Sequence, residues 1–190
     1  LETDLLDNIR LNIDQASISE FLELNFDTVS SNDSAFQNDL IIDLAASGLS
    51  ELKLNVGDEK KVKFENSGGK LTKLFIDGIA SIELGSIPRT ITLLNANTLA
   101  APIKFDSSGN NLQAFTGLGD DIVSLSDGFN ILETHTGSDT ITVLGGTNEV
   151  LTGDGSDIVE VYAGTNDLDT GPGNDKILIE TNNTGLPTSI

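Results

Sequence analysis

Four segments decide the fold: Thr116-Gly-Leu-Gly-Asp-Asp-Ile-Val-Ser124, Thr134-His-Thr-Gly-Ser-Asp-Thr-Ile-Thr142, Thr152-Gly-Asp-Gly-Ser-Asp-Ile-Val-Glu160 and Thr170-Gly-Pro-Gly-Asn-Asp-Lys-Ile-Leu178. Asp121, Asp139, Asp157 and Asp175 stand 18 residues apart, each two residues after a glycine (Gly119, Gly137, Gly155, Gly173). A second glycine precedes in three copies (Gly117, Gly153, Gly171), and His135 breaks that series. One phase kept through four copies means that the chain winds and that each winding returns a carboxylate to nearly the same place.

The period divides into halves of nine. Two residues after each Asp, stepping by nine, stand Val123, Leu132, Ile141, Val150, Val159, Leu168, Ile177 and Leu186; stepping back gives Ala114 and Phe105. One aliphatic residue every nine, with turn residues between, predicts a parallel β-solenoid with a narrow stacked core. Short strands are expected at 121–125 and 157–161. The alternate turns read Gly128-Phe129-Asn130, Gly146-Thr147-Asn148 and Gly164-Thr165-Asn166, with Asn where the other edge has Asp. Amides both donate and accept, so a file of Asn can ladder without a metal. That edge is expected to be structural.

Residues 1–95 lack the nine-residue beat but read as strands at 10–14, 21–26, 40–44, 52–56, 62–65, 71–76, 80–84 and 90–94. Alternation is plainest in Lys61-Val62-Lys63-Phe64-Glu65. Only 18–24 and 35–37 could supply a helical turn. The whole is expected to be all-β: an irregular β-stack over 1–95, a regular coil region over 96–180, and a tail or linker over 181–190.

The chain carries 30 acidic and 10 basic residues, a net charge of −20, and only Lys176 is basic after residue 106. Such a surface repels nucleic acid and anionic membrane and suits divalent cations. No apolar run reaches the roughly 18 residues of a membrane span. There is no Cys and one His, which excludes a Cys–His pair and leaves His135 as the sole imidazole for any triad, so no enzyme is expected. The absence of Cys fits export. Residues 1–10 lack the basic start and apolar centre of a signal peptide. The ends look like those of a fragment.

Stacked coils bring successive carboxylates roughly 4.8 Å apart. At that distance two charges repel by about 1 kcal/mol in water and several times more in a drier site. A hard cation with oxygen ligands resolves this, and glycine turns can aim carbonyls at one point; that chemistry suits Ca²⁺ better than Mg²⁺.

Residues 116–178 resemble the repeats-in-toxin (RTX) nonapeptide family, whose motif is G-G-x-G-x-D-x-U-x. The resemblance implies a right-handed parallel β-roll with Ca²⁺ between successive turns on one side. It implies three sites: Gly117, Gly119 and Asp121 with Thr134, Thr136 and Asp139; His135, Gly137 and Asp139 with Thr152, Asp154 and Asp157; Gly153, Gly155 and Asp157 with Thr170, Pro172 and Asp175. In that scheme Thr and His contribute only carbonyls. The chain departs from the pattern at the first glycine, which is always Thr, and at the Asn halves. The run of irregular strands into such turns also resembles bacterial surface-layer proteins. That implies a secreted structural module at the bacterial cell surface, folding on calcium and self-associating into a lattice, with no nucleic-acid partner and no membrane insertion. The alternative is the RTX module of an exported hydrolase, pore-forming toxin or adhesin.

Overall fold

Apolar residues alternate with polar ones along each short segment, and turn residues break the chain between segments. The result is a two-walled coil. The computed structural model describes residues 9–12, 21–26, 40–43, 48–65, 70–109 and 111–180. One wall is a nine-stranded parallel sheet: β1 (Ile9–Asn12), β3 (Leu40–Asp43), β5 (Lys60–Glu65), β7 (Ile82–Ser86), β9 (Ile103–Asp106), β11 (Ile122–Leu125), β13 (Thr140–Val143), β15 (Ile158–Val161) and β17 (Lys176–Ile179). The other is an eight-stranded parallel sheet: β2 (Phe21–Phe26), β4 (Glu51–Val56), β6 (Lys73–Gly78), β8 (Leu93–Leu99), β10 (Gln113–Phe115), β12 (Phe129–Glu133), β14 (Thr147–Leu151) and β16 (Thr165–Asp169). The chain alternates walls at every strand, so each pair of strands is one coil. This is the expected all-β parallel solenoid, with no helix among the described residues.

The aliphatic beat becomes two columns. Phe105, Val123, Ile141, Val159 and Ile177 pair in register along one wall. Ala114, Leu132, Val150 and Leu168 do so along the other. All are buried except on the last coils, where Leu168 is half-buried and Ile177 exposed. Each fully buried aliphatic side chain contributes roughly 1.5–3 kcal/mol.

Before residue 105 the coils lengthen and vary. Leu22 pairs with Leu52, Leu52 with Leu74 and Leu74 with Leu94, spacings of 30, 22 and 20 residues. The strands still stack in the same two sheets, and β8 runs straight across the expected boundary at 95/96. The irregular strands and the regular coils thus share one core, which runs from Leu40 to Val161. Register slips once on each wall, between Phe75 and Asp77 and between Glu83 and Gly85. The helical alternative for 18–24 is overturned where it can be seen. Phe21–Phe26 pairs through six residues with β4, because Leu22, Leu24 and Phe26 alternate toward the core. The other candidate turn, 35–37, the tail 181–190 and Leu186 lie outside the described residues.

Candidate metal centre

The turns that follow β10, β12, β14 and β16 carry the acidic file. Because the coils are 18 residues long, β11, β13, β15 and β17 start directly above one another, and the residue before each strand is Asp121, Asp139, Asp157 or Asp175. Asp121, Asp139 and Asp157 are buried to 1% exposure or less, and Asp175, on the last described coil, is half-buried.

The carboxylates form a ladder. Asp121 Oδ1 accepts the Ile103 N–H at 2.9 Å, and Asp139 Oδ1 accepts the Asp121 N–H at 2.8 Å. Asp157 Oδ1 accepts the Asp139 N–H at 2.9 Å, and Asp175 Oδ1 accepts the Asp157 N–H at 3.0 Å. One oxygen of each acid thus satisfies the amide of the coil before it. Threonine takes the other oxygen at two rungs. Thr116 Oγ1 donates to Asp121 Oδ2, and Thr152 Oγ1 donates to Asp157 Oδ2 at 2.6 Å. At the middle rung Thr134 Oγ1 donates to the Thr152 carbonyl at 2.9 Å, as Thr152 Oγ1 also does to the Thr170 carbonyl at 3.2 Å; Asp139 Oδ2 is buried outside hydrogen-bond geometry, with the Thr134 hydroxyl close enough to pull its pKa down.

Burial pushes the Asp121 carboxyl up to about 7, against the pull of Thr116 and the Ile103 amide, and Asp139 and Asp120 add to the rise. Burial raises Asp139 too, against the pull of the Thr134 hydroxyl and the Asp121 amide, with Asp157 and Asp120 adding to the rise. No basic side chain relieves the file: the ion pairs among the described residues lie at or before Lys104.

The glycines let the turns close on each other. A Cβ on Gly137 would lie 2.2 Å from the Gly119 carbonyl, and one on Gly155 would lie 1.8 Å from the Gly137 carbonyl. A Cβ on Gly153 would meet the His135 carbonyl at 1.9 Å, and one on Gly117 would meet that of Leu99 at 2.0 Å. His135 is the one non-glycine residue with positive φ among the described residues, 69° beside 87° at Gly153 and 67° at Gly171. Its side chain is exposed and its carbonyl accepts the Asp154 N–H at 2.8 Å, so its backbone does the work of the missing glycine.

All sixteen residues singled out by the resemblance line this one edge, on consecutive turns. Several of their carbonyls bond from coil to coil. Asp154 accepts from Gly137 N–H and Pro172 from Gly155 N–H, both at 3.1 Å, and Thr170 accepts from Thr152 Oγ1 at 3.2 Å. Thr136 bridges Asp154 in parallel register. The edge is lined by oxygen and holds buried carboxylates, but among the described residues no three of His, Asp or Glu converge on one point that could hold a metal ion, and the turns bond directly to one another. Hydrogen bonds do not exhaust the carboxylates, since each oxygen has two acceptor positions. The threonine hydroxyls are what the sequence reading missed. Their signal was present as Thr followed five residues later by Asp in all four copies.

The opposite edge is the amide ladder. Asn130 Nδ2 donates to Asn148 Oδ1 at 2.8 Å, and Asn148 Nδ2 to Asn166 Oδ1 at 2.6 Å. The second N–H of each Asn closes its own turn on the carbonyl of Ser126, Gly145 or Ala163. Each Asn thus bonds within the protein, to its own turn and, for Asn130 and Asn148, to the next coil. Phe129 and Tyr162 lie exposed outside this ladder, at 52% and 36%.

No protein-family model, no curated protein and no solved structure matches this chain. The resemblance to RTX repeats therefore rests on the residues of 116–178 alone.

Proposed function

We propose that the chain is a structural module of an exported bacterial surface protein, a rod of stacked coils whose acidic turns take up calcium. One observation carries this reading: Asp121, Asp139 and Asp157 lie buried one behind another with no cationic side chain beside them. A file of this kind is stable only if protons or cations neutralise it. When bound, calcium supplies charge neutralisation, and the groups to hold it are the Asp carboxylates with the carbonyls of the glycine turns. The chain's own residues do the remaining work. The Asp file fixes the register of one edge through its amide acceptors. The Asn ladder fixes the other, and the aliphatic columns hold the two walls together.

Several features support a structural role over catalysis. The one imidazole, His135, is exposed to solvent, and nearly all the buried polar residues are spent on the two ladders. The lack of Cys and the strongly acidic composition support life outside the cell, where calcium is plentiful. Assembly into a surface lattice is part of the proposal.

The test is sedimentation and electron microscopy of the purified protein in millimolar calcium and in chelator. Ordered arrays that dissolve in chelator support the reading. A monomer whose shape and stability ignore calcium refutes it.

A further inference from the structure

The outer face of the eight-stranded wall carries a groove toward its irregular end. Leu52, Leu54, Leu74 and Ile76 pack into the core, so the residues that alternate with them face outward. Register sets Phe21 beside Glu51, Lys53 beside Phe75, and Phe75 beside Asn95. One residue separates Phe75 from Asp77, but two separate their partners Asn95 and Thr98, so β8 bulges here. Bulges re-aim side chains and are common beside active sites. The groove holds about 400 Å³ and crosses four strands, from Phe21 on β2 to Thr98 on β8. That volume suits a small ligand.

The lining is half aromatic and half polar. Phe21, 44% exposed, and the half-buried Phe75 give the groove apolar faces. Lys53 is tied to Glu23 at 3.4 Å, and Glu51 is tied to Lys73. Asp77 and Asn95 are only partly used. Asp77 Oδ1 accepts the Gly78 N–H at 2.8 Å, and Asn95 Oδ1 accepts the Asn97 N–H at 3.2 Å. Asp77 Oδ2 and Asn95 Nδ2 have no partner among the described residues. Phe75 stands between the two, with Asn95 across the strand and Asp77 two residues along the same face.

We infer that this groove binds an uncharged saccharide. An anion would find no free base, since Lys53 is already paired, and would meet Asp77. A cation would find one carboxylate, since Glu51 is already paired. A wholly apolar ligand would cover Asp77 and Asn95 without satisfying them, which is costly. A sugar ring offers an apolar C–H face to the phenyl rings and a rim of hydroxyls that both donate and accept. Phe75 takes the ring face, Asp77 Oδ2 accepts from one hydroxyl, and Asn95 Nδ2 donates to another. Four strands span roughly 14 Å of wall, enough for a short chain of sugars. The inference does not rest on the calcium reading.

The test is an amide chemical-shift titration of the isotope-labelled full chain, in millimolar calcium, with cellotriose, maltotriose and chitotriose. Far-UV circular dichroism checks the fold of each variant. At least one of the three sugars is expected to bind and to shift Phe75, Asp77 and Asn95. Phe75→Ala is expected to weaken that binding about tenfold, and so is Asp77→Asn, which keeps the acceptor for Gly78 and loses the one facing the groove. Phe129→Ala, an aromatic at the Asn edge, is expected to leave it unchanged. If Phe75→Ala does not fold, Phe21→Ala takes its place. Absence of binding by all three sugars overturns the inference, and so does binding that survives both groove substitutions.

Discussion

Asp139 Oδ1 accepts the backbone N–H of Asp121 at 2.8 Å, across the gap between two coils 18 residues apart. A residue chosen for charge is here used for register. The contact lets a carboxylate side chain extend the sheet's own hydrogen bonding by one step into the turn, where a strand would otherwise end.

Removing a rung therefore costs more than a charge. Asp157→Ala strips the acceptor from the buried Asp139 N–H and from Thr152 Oγ1 together. Buried donors left unsatisfied cost about 1–3 kcal/mol each, so a destabilisation of about 2–5 kcal/mol is expected. Asp175→Ala, on the half-buried last coil, should cost clearly less. Urea denaturation of both variants measures the difference.

The amide ladder makes the opposite demand. Asn148 Nδ2 donates to both the Gly145 carbonyl and Asn166 Oδ1. Asn148→Asp would turn those donors into acceptors facing acceptors, in a buried site. It is expected to destabilise more than Asn148→Ala, by about 1–3 kcal/mol further. Equal midpoints for the two variants would remove the ladder from the account.

Backbone conformation gives a pair of predictions of opposite sign. His135 sits at φ 69°, which glycine adopts without strain, so His135→Gly should stabilise the fold by about 1 kcal/mol. Gly155→Ala should be severely destabilising, because its Cβ would fall 1.8 Å from the Gly137 carbonyl oxygen, and backbone cannot yield as a side chain can. Thermal melts of the two variants against wild type check both signs.

The pH dependence follows from Asp121, whose carboxyl is raised by burial from 3.8 to about 7. Between those values the folded state holds a proton that the unfolded state has released. Stability in chelator should then fall as pH rises from 4 to 7, and level off above. Asp139, raised in the same direction, adds to the fall. Asp121→Asn should flatten the profile; an unchanged slope in that variant would assign it to other groups.

The regular half of this fold was legible because its coil length is constant. A fixed beat of nine places Phe105 to Ile177 in their columns without any structure. The preceding coils obey the same physics with loops of different length, as the spacings from Leu52 to Leu74 and from Ile82 to Ile103 show. Their strands could be read from alternation, but their register could not, since nothing local counts the residues in a loop. At the acidic edge the file of Asp was plain. Its hydrogen bonding was hidden, because a carboxylate spaced for a metal is also spaced for the amide of the preceding coil. The threonines were assigned carbonyls alone, and their hydroxyls proved to be the Asp partners at two rungs.

The most direct test of the central claim is thermal unfolding of the chain, first in chelator and then in rising calcium. Calcium that binds the folded coils and not the open chain must raise the midpoint with concentration, by about 2.7 kcal/mol of stability at a hundred times the dissociation constant. The account predicts that rise, and predicts that magnesium at the same concentration gives less. A midpoint that stays fixed from chelator to ten millimolar calcium would contradict it.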